Sequence, residues 1–341
     1  MQNQKLSTCI VTGGAGFIGS HLVDSLLTDS VFDEVRVIDN FSSGRREHLA
    51  QHSSDSRLKI LDADLLDLEK IRSFFNGVDF VFHLAANPDA RWGIDNTRLD
   101  LEQETIVTYN VLESMRLAGS SKILLSSSGT VYGDVGTKVT HEQLGPALPV
   151  SLYGAGKVAS EALISAFCGT FGLSGTILRF GNIVGERTTH GVIYDFIRKL
   201  MNTPSSLEVL GNGFQAKPYV YVRDLVRALR FTETLTRGYA SGYFDVFNVA
   251  PSGATAVRFI AETLIRSLGF KKCEIHYGDT AGGWPGDVAQ SRMDSSKLEK
   301  AGFDLGRSSD QAVETAIHAI IKWLPTRQAA EDSLRLPEAS I

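Results

Sequence analysis

Tyr153 and Lys157 stand four residues apart in Tyr153-Gly154-Ala155-Gly156-Lys157, at the start of a stretch with helical spacing. Side chains so spaced share one face of a helix. A phenol titrates at roughly 10, too high for a base near neutrality, but an ammonium beside it favours the phenolate. The pair is thus a candidate for drawing the proton from a hydroxyl group. Ser126-Ser127-Ser128-Gly129-Thr130-Val131-Tyr132-Gly133 runs off the end of an apolar run and adds the hydroxyls of Ser128 and Thr130. Tyr-x-x-x-Lys alone is a common pattern. Its weight here comes from a glycine loop near the N-terminus.

That loop, Gly13-x-x-Gly16-x-x-Gly19, joins a strand-like run to a helix-like one opened by Phe17 and Ile18. Gly13 suits a tight turn, Gly16 lets backbone N–H groups approach a pyrophosphate, and Gly19 lets the helix pack close on the sheet. The start of that helix faces the anion with unpaired N–H groups and its positive dipole end. Asp39 lies beyond it at the end of the second strand, where a carboxylate meets the adenosine ribose hydroxyls. The combination points to a dinucleotide. The charge on Asp39 opposes a 2′-phosphate, so NAD is favoured over NADP. Asn40, Ser43 and Gly44 continue the same loop. Asp64-Leu65, after the third strand, is placed to bracket the adenine, and Asp64 reads equally as an ordinary loop acid.

These groups need a scaffold that gathers distant parts of the chain, and the sequence predicts one. Thr8–Val11, Val35–Ile38, Leu58–Leu61, Phe80–His83, Lys122–Leu125 and Thr176–Phe180 read as strands. Phe17–Leu27, Leu68–Phe75, Thr97–Leu117 and Ser151–Phe171 read as helices between them, with Gly77, Gly119 and Gly172 as stops. The alternation predicts an α/β fold, a doubly wound parallel sheet of the Rossmann type over residues 1–180. Helical stretches at Val192–Met201, Asp224–Thr234, Ala256–Leu268 and Ser309–Trp323 then predict a smaller α/β substrate lobe over 181–325. Some of its segments are expected to return to the first lobe. Residues 326–341 read as a polar tail.

Composition narrows the partners. Across 341 residues, 34 basic and 39 acidic side chains give a net charge of −5 without a basic block, which argues against nucleic acid. Cys9, Cys168 and Cys273 are scattered and fit neither a disulfide framework nor a metal site. His83, His190 and His276 lack second ligands at metal spacing, so they read as structural or exposed. No apolar run approaches the roughly 20 residues of a membrane span, nor is a signal peptide legible, so the expected compartment is the cytoplasm.

The sequence resembles the extended short-chain dehydrogenase/reductase family, in particular its UDP-galactose 4-epimerase-like branch. The matching stretches are Thr12–Gly19, His83-Leu84-Ala85-Ala86, Ser126–Gly133, Tyr153–Lys157, Arg179-Phe180-Gly181-Asn182 and Tyr219–Leu225. The resemblance implies Tyr153 as general base, Lys157 as its modulator and ribose anchor, and Ser128 as the hydroxyl that bonds the sugar oxygen. It implies that Leu84, Ala85 and Ala86 touch NAD, and that Thr130 and Asn182 touch the sugar nucleotide. It also implies a homodimer through two long helices, here Thr97–Leu117 and Ser151–Phe171. Four positions depart from the family pattern. Gly156 replaces a usual Ser, and Glu104 a common Asn. Lys217 stands for a diphosphate-gripping Arg, and Trp284 opens an element that usually begins with Arg. Lys217 is expected on a phosphate, although lysine lacks the bidentate fork of arginine. Trp284 is expected against a base or sugar.

The expected reaction is inversion at C4 of a nucleotide sugar, a UDP-hexose being favoured. Related dehydratases place Asp-Glu directly after the strand-end hydroxyl, and related decarboxylases a Glu two residues after it; here those positions are Gly129 and Thr130. Glu104 and Glu142 remain as substitute acids. A dehydratase, decarboxylase or 4-reductase is the alternative within the family, and a non-catalytic NAD sensor the alternative outside it. Titrating NAD and NADP into the nucleotide-free chain should show tighter binding of NAD, and Asp39→Ala should narrow the gap. Equal affinities in the unaltered chain would overturn the assignment of Asp39 to the ribose.

Overall fold

Apolar runs without polar alternation suit strands that are covered on both faces. In the computed structural model, which describes residues 8–324, such runs form the middle of one seven-stranded sheet, with more polar strands towards its edges. Its strands are β1 (Thr8–Thr12), β2 (Glu34–Asp39), β3 (Leu58–Asp62), β4 (Phe80–His83), β5 (Lys122–Ser128), β6 (Ser174–Phe180) and β7 (Phe244–Val249). All are parallel, in the order β7-β6-β5-β4-β1-β2-β3. The direction of winding reverses between β1 and β4. Ligand crevices of open α/β sheets form beyond the carboxyl ends of the strands at such a reversal.

Each face of the sheet carries its own core. On one, Leu22, Val23 and Leu26 of the helix Phe17–Thr28 pack with Leu225 and Leu229 of the helix Val222–Arg237. On the other, Val111, Leu112 and Met115 of the helix Val107–Ala118 pack with Ile164 and Phe167 of the helix Leu152–Phe171. A third core gathers Ile193, Phe196, Ile260, Leu264, Val313 and Ile317 from helices Val192–Asn202, Val257–Leu268 and Ser309–Trp323. The chain past residue 181 therefore divides between two cores. Residues 222–249 return to the sheet as a helix and strand β7, which the sequence reading had not singled out as a strand.

The six strands read from sequence all form, most extended by a residue or two. Two helices differ from expectation. Leu68–Phe75 is one α-turn, Leu68–Ile71, followed by a tighter turn, Arg72–Phe75. Thr97–Leu117 is not one helix either: a short helix Trp92–Asp95 precedes it, Leu101–Ile106 is wound wide as a π-segment, and regular α-helix begins only at Val107. Such π-turns are rare and cluster at functional sites. The Glu104 carbonyl within it lies 2.5 Å from the Thr108 hydroxyl and 2.9 Å from the Ser160 hydroxyl, both of which donate to it. Among the described residues, no helix is long and apolar enough to cross a membrane. The polar tail expected at 326–341 lies outside the described residues.

Candidate active site

The loop between β1 and the first helix is shaped by close approach. Gly13 has φ +67°, and a Cβ there would lie 2.9 Å from Ala85 Cα; one at Gly19 would lie 2.1 Å from the Gly13 carbonyl oxygen. No larger residue fits either place. The helix Phe17–Thr28 begins at Gly16 without a side-chain cap, so its first N–H groups stay available to an anion. Asp39 closes the loop from the end of β2: its carboxylate accepts the N–H of Ala15 at 2.9 Å and of Phe41 at 2.8 Å. Burial pushes this carboxyl upward and those two hydrogen bonds oppose the shift. A carboxylate oxygen can accept more than one bond, so capacity is left for ribose hydroxyls.

A cavity of about 490 Å³ runs from this loop across the strand ends. Gly13, Gly16, Phe17, Ile18 and Gly19 line it, as do Asp39, Asn40 and Ser43. So do Asp64, Leu65, Leu84, Ala85 and Ala86. Gly44 does not line it; a Cβ at Gly44 would lie 2.8 Å from the Asp39 carboxylate, so it acts by letting Asp39 fit. The wall opposite the loop carries Ser128, Thr130, Tyr153, Lys157, Asn182, Lys217 and Trp284. A glycine cradle, the Asp39 carboxylate at the end of β2 and an apolar slot before β5 together fit a dinucleotide.

Tyr153 and Lys157 lie in the first turns of the helix Leu152–Phe171, which the Ser151 side chain caps on the Gly154 N–H. The Lys157 ammonium is 5.5 Å from the centre of the Tyr153 ring. It donates to the Ser126 carbonyl at 2.9 Å and pairs with Glu104 at 2.8 Å, both side chains being almost fully buried. Burial alone would lower Lys157, but the Glu104 carboxylate and Tyr153 raise it above the usual ammonium range. Tyr153 is pushed up to about 12 by burial, against the pull of Lys157. Glu104 and Asp100 add to that rise. Lys157 therefore does not by itself prepare a phenolate. A second positive charge has to enter the cleft first.

The hydroxyl of Ser128 accepts from the Thr130 N–H at 3.2 Å, and the Thr130 hydroxyl is buried without a partner. A buried unpaired hydroxyl facing a cavity is a ready contact for a polar ligand. Lys217, expected to be free for a phosphate, is paired with Asp287, whose carboxylate also accepts the Gly283 N–H at 2.9 Å. Any phosphate must share Lys217 with Asp287. Asn182 hangs beside Tyr219 on the same wall.

Sequence reasoning missed two parts of the site. Glu104, read as a departure from a common Asn and as a substitute acid, is the ion partner of Lys157. Asp89, Arg91 and Asp195 form a cluster at the cavity rim, with Arg91 bridging both carboxylates. Burial would raise the Asp89 carboxyl, yet Arg91 holds it below the usual range. His83, read as structural, is buried between Thr12 and Thr108 and pushed down to about 3 by burial and by Lys157. Only Glu104 left a sequence signal, as a departure from the family pattern. Among the described residues, no group of three His, Cys, Asp or Glu side chains is placed to hold a metal ion.

A fold and cleft of this kind define a nucleotide-dependent α/β enzyme. Residues 9–250 match the model of the NAD dependent epimerase/dehydratase family, and the chain belongs to that family. It is 30% identical over 320 residues to a putative UDP-glucose 4-epimerase of Methanocaldococcus jannaschii, covering 92% of this chain and 97% of that one. Among solved structures it is similar to a UDP-galactose 4-epimerase, with TM-score 0.82 and 36% identity, over 93% of this chain and 100% of the other. It is also similar to the UDP-glucose 4-epimerase of Thermus thermophilus in complex with NAD, with TM-score 0.78 and 28% identity over 92% and 98% of the chains. UDP-glucuronic acid decarboxylases are relatives too.

In the nucleotide-free chain Tyr153 should be a neutral phenol through the whole physiological range. Subtracting the ultraviolet absorbance titration of Tyr153→Phe from that of the unaltered protein should isolate a phenol titrating near about 12. A component at or below the ordinary value of roughly 10 would show that Lys157 outweighs burial.

Proposed function

We propose that this chain is an NAD-dependent UDP-sugar 4-epimerase. The observation that carries the reading is one cavity holding the glycine cradle, the Tyr153–Lys157 pair and the Ser128–Thr130 hydroxyls, with no carboxylic acid at positions 129 and 130. The pyrophosphate of NAD would rest on the N–H groups after Gly13, its ribose on Asp39, and its adenine beside Asp64 and Leu65. Bound NAD supplies an acceptor, and later a donor, for the hydride at C4 of the sugar. Tyr153, as phenolate, takes the proton of the 4-hydroxyl and gives one back on return. Lys157 steadies that phenolate, and Ser128 hydrogen-bonds the same sugar oxygen. The 4-keto sugar turns over between the two transfers, and no net redox change results.

Elimination and decarboxylation each need a further proton transfer, and the absence of a carboxylic acid at positions 129 and 130 supports the epimerase reading instead. A Cβ at Gly129 would lie 2.7 Å from the Met293 sulfur, so a side chain at this position, where a dehydratase acid belongs, would have to displace Met293. The two substitute acids are committed elsewhere. Glu104 is paired with Lys157, and Glu142 accepts the backbone N–H of Asn248 at 2.8 Å.

The chain is proposed to act as a homodimer. Leu101, Ile106, Tyr109 and Leu117 on one helical segment and Leu152 and Phe171 on the other are exposed apolar side chains in this single chain, and a patch of that kind marks an interface. Sedimentation should give twice the 37.1 kDa chain mass, and Leu117→Lys should lower it. A monomer at micromolar concentration would remove the proposal.

The reaction is tested by incubating the protein and catalytic NAD with UDP-glucose, UDP-N-acetylglucosamine and UDP-glucuronate and reading products by NMR. A C4 epimer of at least one is expected. Tyr153→Phe should lower its formation by about 10²–10⁴-fold, as for other lost acid–base groups, while NAD binding persists. A 4-keto-6-deoxy sugar, or carbon dioxide with a pentose, would replace the epimerase reading.

A further inference from the structure

Two of the positions at which this chain departs from its family touch each other. A Cβ at Gly156 would lie 2.7 Å from Glu104 Cβ and 2.9 Å from its Cγ, and 3.0 Å from the Asp100 carbonyl oxygen. The glutamate in place of Asn and the glycine in place of Ser therefore fit as a pair: the longer acid occupies the room that the missing side chain leaves. From there Glu104 reaches Lys157 at 2.8 Å through Oε2 and accepts the Asn87 N–H at 3.1 Å through Oε1. Asn87 in turn donates from its side chain to Asp100 at 2.8 Å.

We propose that Glu104 is a positioning residue that pins the Lys157 ammonium and limits how strongly it acts on Tyr153, and that Gly156 is what admits it. The inference rests on Tyr153 being the base. An ammonium has three donors. Glu104 and the Ser126 carbonyl take two of them, which fixes the Nζ and leaves one for the cleft. The same carboxylate opposes a phenolate at Tyr153. The other charged groups around the pair are few. Asp100 acts on Tyr153 from the residue before the π-segment, Glu161 on Lys157 from its own helix, and His83 of β4 is held neutral. Of these, Glu104 alone contacts the ammonium directly.

Burial pushes the Glu104 carboxyl up to about 7 against the pull of Lys157, so above that pH a neutral group at position 104 removes an opposing charge and Tyr153 should ionise more readily. The sign is therefore fixed: the acid limb of the pH–rate profile moves to lower pH. Glu104→Gln should shift it by about one pH unit, the scale of a single nearby charge. The same downward shift should appear without turnover, in the ultraviolet titration of Tyr153 in the NAD-free protein, each variant read against its own Tyr153→Phe form. Gln leaves Lys157 buried with a neutral partner, so the paired variant Glu104→Asn with Gly156→Ser is run beside it and should shift alike. A folded variant with an unmoved or raised limb, and an unmoved phenol, overturns the inference. Failure of both variants to fold overturns it also, because Glu104 would then serve folding alone. Activity retained in Tyr153→Phe would instead sink the base assignment. Loss of activity there with an unmoved profile in Glu104→Gln would sink only the role of Glu104.

Discussion

The hydroxyl of Thr12, at the last residue of β1, ties the two halves of the sheet together where the strand order reverses. It accepts the N–H of Leu84 at 3.1 Å and of Ala85 at 3.2 Å, and lies 2.7 Å from His83 Nδ1. With both lone pairs used, its proton goes to His83 Nδ1. The ring proton is thereby assigned to Nε2, which donates to the Thr108 hydroxyl at 3.1 Å. Thr108 passes the direction on to the Glu104 carbonyl. One run of hydrogen bonds thus leads from the cofactor loop, through a neutral buried histidine, to the residue that holds Lys157. Removing any member leaves buried neighbours unpaired, at a cost of about 1–3 kcal/mol each.

The same burial that makes this run firm sets the electrostatics of the base. Lys157 and Glu104 are buried and Tyr153 is partly so, and at the phenol burial is the largest influence, with Lys157 lowering it and Glu104 and Asp100 raising it. Burial then decides, and the phenol stays neutral. In the proposed reaction this is useful. A permanently ionised Tyr153 would be an uncompensated buried anion, whereas one that ionises only beside an oxidised nicotinamide is formed when it is needed. The charge of the cofactor and the state of the base are coupled through the shared cavity.

Much of this was legible in the chain. The glycine spacing, Asp39 and the Tyr-Lys pair are local patterns whose meaning depends on the end of a strand or the start of a helix, and periodicity places those ends well. What sequence did not reveal is long-range or depends on one atom. Strand β7 is a short run interrupted by Asp245 and Asn248, separated in sequence from the other six, and nothing local says that it pairs beside β6. Thr12 is one threonine at a strand end among many; only the register of β1 against β4 gives its hydroxyl three partners. The segment 97–117 has continuous helical periodicity. Its π-winding depends on contacts from Ser160, which lies on another helix, and periodicity does not register them. Lys217 illustrates the converse. Its place on the cavity wall followed from motif position, but its pairing with Asp287 joins residues 70 apart in the chain.

The charged groups around the cavity share one property that bears on selectivity. Asp89 and Asp195 are bridged by Arg91, Asp287 by Lys217, Glu104 by Lys157, and Asp64 accepts the Leu66 N–H and the Asn40 side chain. Each of these carboxylates has a charged or hydrogen-bonding partner, although burial pushes the Glu104 carboxyl up to about 7 against the pull of Lys157. A site of this kind orients a polar ligand through fixed charges while offering few protons. Inversion at C4 asks for one proton on and off one oxygen, and room for the keto sugar to turn. Elimination asks for a second acid beside the leaving hydroxyl. In the proposed reaction Tyr153 would meet the first set of conditions, and positions 129 and 130 carry no carboxylic acid for the second.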